Sequence, residues 1–401
     1  MLTYVYTARD PNGGDIKAEV QADSEQSAAK LIRNQGLTPV SITIKGERNK
    51  LIPSRHKVKA KDKVLFSRQL STLVGAGLPI TQSLRTVAEQ TPSKEMNIVI
   101  NRIVADVEAG KALAKAFEAH PEVFNSVFVN LVAAGETSGT LDEALERLAD
   151  QQEKDAEISS KVKGALVYPA IVLFVIMGVI VFMLTTVLPQ VEQLYVDLKQ
   201  DLPFITAAML AVSDFMIQFW WLQIMIFGGM IYFAKRYIET EPGRKVADAL
   251  KMRIPIFGKL FMKMYMARFA RTGQTLMATG VPMLEMMRIT GNAVNNVHIK
   301  ASLERASVKV KGGKSLSSTL ENDPNFLPLV PQMLNIGEQS GSIDTMMGKA
   351  ADFYESELDN EIKAISTTIE PLLMVVLAVV AGAMVGAILI PVYGLVGTTT
   401  L

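Results

Sequence analysis

Cysteine is missing from all 401 residues, and its absence excludes disulfides, thiolate metal sites and cysteine nucleophiles together. Histidine is almost missing. His56, His120 and His298 are scattered, and none stands at metal-ligand spacing from a carboxylate or another histidine. On these grounds no catalytic residue, cofactor-binding residue or metal site is expected. Neither charge sign is in excess, with 41 Lys and Arg against 40 Asp and Glu, so nucleic acid is not an expected partner. Residues 1–20 include Arg9, Asp10, Asp15, Lys17 and Glu19 and lack an apolar core. A cleavable signal peptide is therefore not expected, and the N-terminus is expected to stay in the cytoplasm. Lys311-Gly312-Gly313-Lys314-Ser315 resembles the end of a phosphate loop, but Val308 stands where the loop needs its first glycine. That segment is read as a turn between helices, and the chain is not expected to hydrolyse nucleotide.

Charge is also missing locally. Residues 166–188, 215–234 and 372–397 hold no Asp, Glu, Lys, Arg or His. At about 1.5 Å per residue each is long enough for a transmembrane helix. Lys161 and Lys163 precede the first span, and Lys235 and Arg236 follow the second. The 189–214 connection holds Glu192, Asp197, Asp201 and Asp214 against Lys199 alone. The positive-inside rule then places 189–214 and the tail 398–401 outside and the remainder in the cytoplasm. Transport normally needs ionisable groups or broken helices at the midplane, so a membrane transporter is a distant alternative. Ala378, Gly382 and Gly386 recur every four residues in the third span. They are either a face for close helix packing or ordinary glycine tolerance in a membrane helix.

What the chain has in quantity is self-similarity. FSRQLSTLVGAGLPITQSLR begins at Phe66 and FARTGQTLMATGVPMLEMMR at Phe269, 203 positions later. Arg68 matches Arg271, Gly77 and Pro79 match Gly280 and Pro282, and Gly135 to Gly139 answers to Gly337 to Gly341. Each copy then runs into a proline, Pro169 or Pro371, and an apolar segment. One helical module with one span has been used twice. The Gly-Glu-x-Ser-Gly segment is read as a turn between helices. Two roles stand open for Glu136 and Glu338: an ion pair with the parallel Arg68 and Arg271, or a helix N-terminal carboxylate favoured by the macrodipole. Thr140 with Glu143 is read as a capping box; the second copy keeps Ser342 but has Thr345 in place of the glutamate. Phe66 and Phe269 are read as core.

The expected organisation is mainly α: a polytopic membrane protein with two homologous cytoplasmic helical bundles, three spans and a small N-terminal α/β unit. That unit, 1–44, reads as a hairpin over Tyr4–Ala8 and Ile16–Val20 joined by turn residues 10–14. A helix follows, with Ser24 as N-cap and Gly36 as stop, and then a strand at Val40–Ile44. Residues 45–61 form a basic linker, either a solvated tether or a contact for anionic headgroups or an acidic partner. The first repeat occupies 62–165 and the second 235–371, with 189–214 as the external connection.

These residues in this order resemble the type II secretion F / type IV pilus assembly platform family over essentially the whole chain. The most specific pieces are Arg268-Phe269-Ala270-Arg271 with Gly280-Val281-Pro282, and Gly135-Glu136 with Ser138-Gly139-Thr140-Leu141. Gly164 to Pro169, Ile254 to Gly258 and Ile369-Glu370-Pro371 add to them. Gly273 departs from the repeat, standing where the first copy has Leu70. The resemblance implies a non-enzymatic inner-membrane platform of a bacterium, multi-pass, with the N-terminus cytoplasmic and the C-terminus outside. Its implied partners are a cytoplasmic assembly ATPase, pilin or pseudopilin subunits, other inner-membrane machine components and further copies of itself. A type IV pilus platform is the favoured expectation, and a type II secretion platform the alternative.

Overall fold

The computed structural model describes residues 2–9, 15–22, 25–34, 36–44, 58–197, 204–255 and 257–398. The chain forms two units, Met1–Lys57 and Val58–Leu401. In the first, β1 (Leu2–Arg9) lies between β2 (Asp15–Ala22) and β3 (Thr38–Ile44), antiparallel to both, and α1 (Glu25–Asn34) packs on the sheet. Strand alternation sends Tyr6 and Ala8 to one face, where they meet Ile32 of α1 and are buried with it. Gly36 ends the helix as expected: the Leu37 N–H bonds the Ile32 carbonyl. The expected turn at 10–14, the N-cap Ser24 and linker residues 45–57 lie outside the described residues.

The second unit opens with α2 (Ala60–Gly75), so Lys61, assigned to the linker, is already helical. Then follow α3 (Ile80–Gln90), α4 (Lys94–Glu108), α5 (Leu113–Glu118), α6 (Ser126–Ser138) and α7 (Leu141–Phe182). A π-helical turn, Met183–Val187, leads into α8 (Leu188–Asp197). Next come α9 (Phe204–Gln218), α10 (Trp220–Ile238) and α11 (Glu241–Arg253). The second repeat contributes α12 (Phe257–Ala278), α13 (Met283–Ala293), α14 (Val297–Lys311), α15 (Leu316–Leu320), α16 (Leu329–Ser340) and α17 (Ile343–Thr398). The repeat seen in the sequence is thus a repeat of six helices.

Each repeat folds around its phenylalanine. Phe66 is fully buried, 6.1 Å from Phe117 and 5.6 Å from Phe124 by ring centroids. Phe269 is fully buried 5.2 Å from Phe326, edge to face. Gly273 has a packing reason: a Cβ there would lie 2.1 Å from Met347 Cε, so the missing side chain admits a methionine from α17. The two repeats share one continuous apolar core. The turns Ala109–Ala112 and Gly312–Ser315 link helices in both copies, with Gly110 and Gly313 both at φ +87°. The phosphate-loop lookalike is therefore a repeated interhelical turn.

α7 and α17 leave the bundles and become apolar without interruption, α7 running through Pro169 and α17 through Pro371. Among the described residues two helices are long and apolar enough to cross a membrane, Leu141–Gln190 and Ile343–Ala383, and a bent pair supplies a third span if it crosses as one. Their outer faces are open: Phe174 is 80% exposed and Phe233 71%. The second span differs from its sequence reading. Residues 215–234 are not one straight helix, because the chain breaks at Phe219 and α9 and α10 meet at 77°. The 189–214 connection is largely helical, holding α8 and most of α9. Ser213 of α9 donates its hydroxyl to the Leu184 carbonyl in the π turn, where the widened helix leaves an acceptor to satisfy.

Candidate functional site

Arg68 and Arg271 do not meet the motif glutamates. Arg68, on α2, donates from Nε and Nη2 to both carboxylate oxygens of Glu153 at 2.6 Å, and from Nη2 to Asp150 at 2.5 Å. Arg271, on α12, makes the same fork with Glu355 at 2.9 Å and reaches Asp352 at 2.5 Å. Each arginine therefore pins the first helix of its repeat to the long last helix, by a bidentate contact that fixes orientation as well as distance. Bonds to Glu153, then Asp150, raise the Arg68 pKa, and Arg68 holds Glu153 below the usual carboxylate range. Burial works against the charge on Arg271, but Glu355 and Asp352 outweigh it and its pKa rises too.

The motif glutamates cap helices in their own bundles. Glu136 accepts the Leu113 N–H at 2.8 Å and the Ala114 N–H at 3.2 Å. Glu338 accepts the Leu316 N–H at 2.6 Å, the Ser317 N–H at 3.3 Å and the Ser317 hydroxyl. These are free donors at the first turns of α5 and α15, so of the two roles left open the helix N-terminal carboxylate is the one formed. The ion pair of Glu136 with Arg68 is overturned, because each group's hydrogen bonds go elsewhere.

The Gly-Glu-x-Ser-Gly segment is not a turn throughout. Its first four residues are the last turn of α6 or α16, and only Gly139 and Gly341 reverse the chain, at φ +76° and +69°. Gly135 serves contact instead. A Cβ there would sit 2.5 Å from Ala144 Cβ on α7, and one on Gly337 would sit 2.8 Å from Ile343 Cα. The capping box at Thr140 is not formed, since Thr140 makes no side-chain cap and its hydroxyl lies 2.7 Å from Ser138 Oγ. Gly77 and Gly280 have φ +86° and +79°, and Pro79 and Pro282 stand at the N-caps of α3 and α13. Each of the ten repeated motif residues thus makes a pin, cap or turn within its own bundle, and Gly77, Pro79, Glu136, Gly139, Gly280, Pro282 and Gly341 are exposed as well.

Of the polar groups that join the two repeats, Thr275 recurs as Thr72 and Lys161 as Lys363, whereas Gln151, Thr272 and Arg268 stand against Phe353, Gln69 and Leu65. Gln151 on α7 is buried; its amide donates to Thr272 Oγ1 at 3.2 Å and its carbonyl accepts from Thr275 Oγ1 at 3.2 Å, both on α12. Arg268 donates to Ser159 Oγ at 2.9 Å, with its Nε 3.6 Å from Asp155. Lys161 bridges to Asp359 on α17 at 2.8 Å, and that bond and the one to Glu157 raise its pKa. Burial raises the pKa of Asp155, Arg268 only partly opposing it. The Asp-x-x-Glu pairs at 150/153 and 352/355 were detectable as a second repeated spacing, whereas Gln151, Thr272 and Arg268 carry no such signal. In the third span Ala378 and Gly382 are exposed and Gly386 is half-exposed, so the small-residue face is not packed by its own chain at Gly382. Among the described residues no cluster of three or more His, Cys, Asp and Glu could hold a metal ion.

Comparison with known proteins agrees with this architecture. The family described as type II secretion system (T2SS), protein F matches twice, over 66–189 and 269–391. Its N-terminal domain matches 1–43. The type IV pilus assembly protein PilC of Thermus thermophilus is 38% identical over 99% of this chain and 99% of its own length. That of Myxococcus xanthus is 33% identical over 98% of this chain and 95% of its own. The type II secretion system protein F of Aeromonas hydrophila is 34% identical over 93% of this chain and 97% of its own. The six-helix modules, each opening into an apolar helix and matched in both copies, place the chain in the type II secretion system protein F family.

Proposed function

We propose that this chain is the non-enzymatic inner-membrane platform of a bacterial type IV pilus assembly machine. In this role it couples a cytoplasmic ATPase to the insertion of pilin subunits into a filament. The bundles and the N-terminus lie in the cytoplasm, the C-terminus outside, and the chain acts as a homo-oligomer alongside other inner-membrane components. One observation carries the proposal: α7 and α17 run as single helices from charged bundles into apolar spans. A load applied to either bundle in the cytoplasm has a stiff path into the membrane. Relatives named for pilus assembly support the pilus branch. Relatives named for type II secretion keep a secretion platform as the second reading. The charge pattern around the spans supports the orientation.

The test uses the full chain in lipid nanodiscs with the host's assembly ATPase. Binding, or a changed ATPase rate, in at least one nucleotide state is expected. No binding and no rate change in the apo, ATP-analogue and ADP states would count against the coupling.

A further inference from the structure

Apart from the packing of the equivalent helices α7 and α17 on each other, the contact between the repeats is one-directional. Repeat 1 offers α6 and α7, and repeat 2 receives them on α13 and α12. The reciprocal pairs, α16 with α3 and α17 with α2, form no such packing. A heterologous contact of this kind leaves one half of the same interface open at each end of the molecule. On α17, Phe353 occupies the place of Gln151, fixed by the flanking pairs Asp150/Glu153 and Asp352/Glu355. Gln151 is 5% exposed, Phe353 49%. Ile336 on α16 takes the place of half-buried Ala134 and is 47% exposed. At the other end, Leu65, Gln69 and Thr72 on α2 stand where Arg268, Thr272 and Thr275 receive α7. Thr272 and Thr275 are buried, while Leu65 is 39% exposed and Thr72 is exposed.

We infer that the α16–α17 face around Phe353 and Ile336 docks on the α2 face around Leu65, Gln69 and Thr72 of a second copy of this chain, repeating between molecules the step made within one. The charges agree in sign. Within the chain the α12 side presents Arg268 to Asp155 on α7. Between copies the α2 side presents exposed Lys59 and Lys61, and the α17 side Glu357 and Asp359, both partly exposed beside their partners Lys263 and Lys161 within the chain. The membrane permits the step as well. α7 and α17 lie side by side, and Lys161 pairs with Asp359, whose counterpart in repeat 1 is Glu157. The two helices are therefore offset by four residues, about 6 Å at 1.5 Å per residue. Two such steps separate one copy from the next, a shift of about 12 Å along the helices, less than half of a ~30 Å hydrocarbon core.

The inference extends the homo-oligomer of the proposed platform and is tested on the protein itself. The natural absence of cysteine gives a clean background. Differently tagged Gln69→Cys and Phe353→Cys full-length chains are co-expressed and treated in native membranes with a short bis-maleimide. Expected is a mixed-tag adduct, with none from either variant alone. A Gln151→Cys/Thr272→Cys chain, cross-linking within itself, reports that the bundles are folded. An adduct between two Phe353→Cys copies would replace the proposed step by a two-fold contact. Capture of the Phe353→Cys variant by another protein would overturn it. So would the absence of any adduct where the internal control closes, even if the two tags co-purify. A mixed adduct in a strain whose filaments and secretion survive deletion of the gene would instead remove the platform function and leave the interface standing.

Discussion

Gly135 and Gly139 stand four residues apart in one motif and are required for different reasons. Space demands the first, 2.5 Å from Ala144 Cβ where its own Cβ would be, and backbone conformation the second, at φ +76°. Gly135→Ala should destabilise the protein by about 1–3 kcal/mol through overpacking. Adding Ala144→Gly should recover much of that loss, because it removes the atom in the way. Gly139→Ala should cost about 1–2 kcal/mol through the left-handed backbone, and Ala144→Gly should not relieve it. Thermal unfolding of the detergent-solubilised chain separates the two; equal rescue of both would refute the distinction. The sequence marked both glycines by repetition but could not say which served space and which served φ. Repetition shows that a residue is needed twice, not what it touches. Glu136 shows the same limit: its parallel with Arg68 reflects a shared module, while its bonds go to backbone N–H groups at the start of α5, which no residue type advertises.

At the scale of elements, the helices of both bundles were readable from apolar spacing and from the Gly-x-Pro breaks, since those signals are local. The bend between α9 and α10 was not, because a window of hydropathy sums composition and is blind to direction. The long helices depend on the pins that hold them, and α2 is pinned to α7 by Arg68 with Glu153. The ordinary glutamate pKa is 4.5, and Arg68 holds Glu153 below it in the fold. A carboxylate with a depressed folded pKa adds stability above its unfolded pKa and loses it as pH falls through the folded one. The difference in stability between the native chain and Glu153→Gln should therefore be full near neutral pH and shrink below about pH 4.5. The pair is partly exposed, so about 1 kcal/mol or less is expected. Urea unfolding at neutral and acid pH measures it, and a difference that grew on acidification would have the wrong sign.

At the scale of the whole molecule, repetition in the sequence foretold two like modules but not how they meet. The seam mixes Gln151 and Thr272, where the copies differ, with Thr275 and Lys161, which recur as Thr72 and Lys363, so comparing the copies could not separate seam from module. That asymmetry makes one packed body from two equivalent parts, with a long helix leaving each. This body is proposed to serve filament assembly. Its most direct test is a clean deletion of the gene in its own host, complemented in trans. Surface filaments are counted by electron microscopy, and secreted proteins are profiled in parallel. Loss of filaments with normal secretion is the expected result, and lost secretion with intact filaments would move the chain to the secretion branch. Filaments and secretion both unchanged would contradict the platform function.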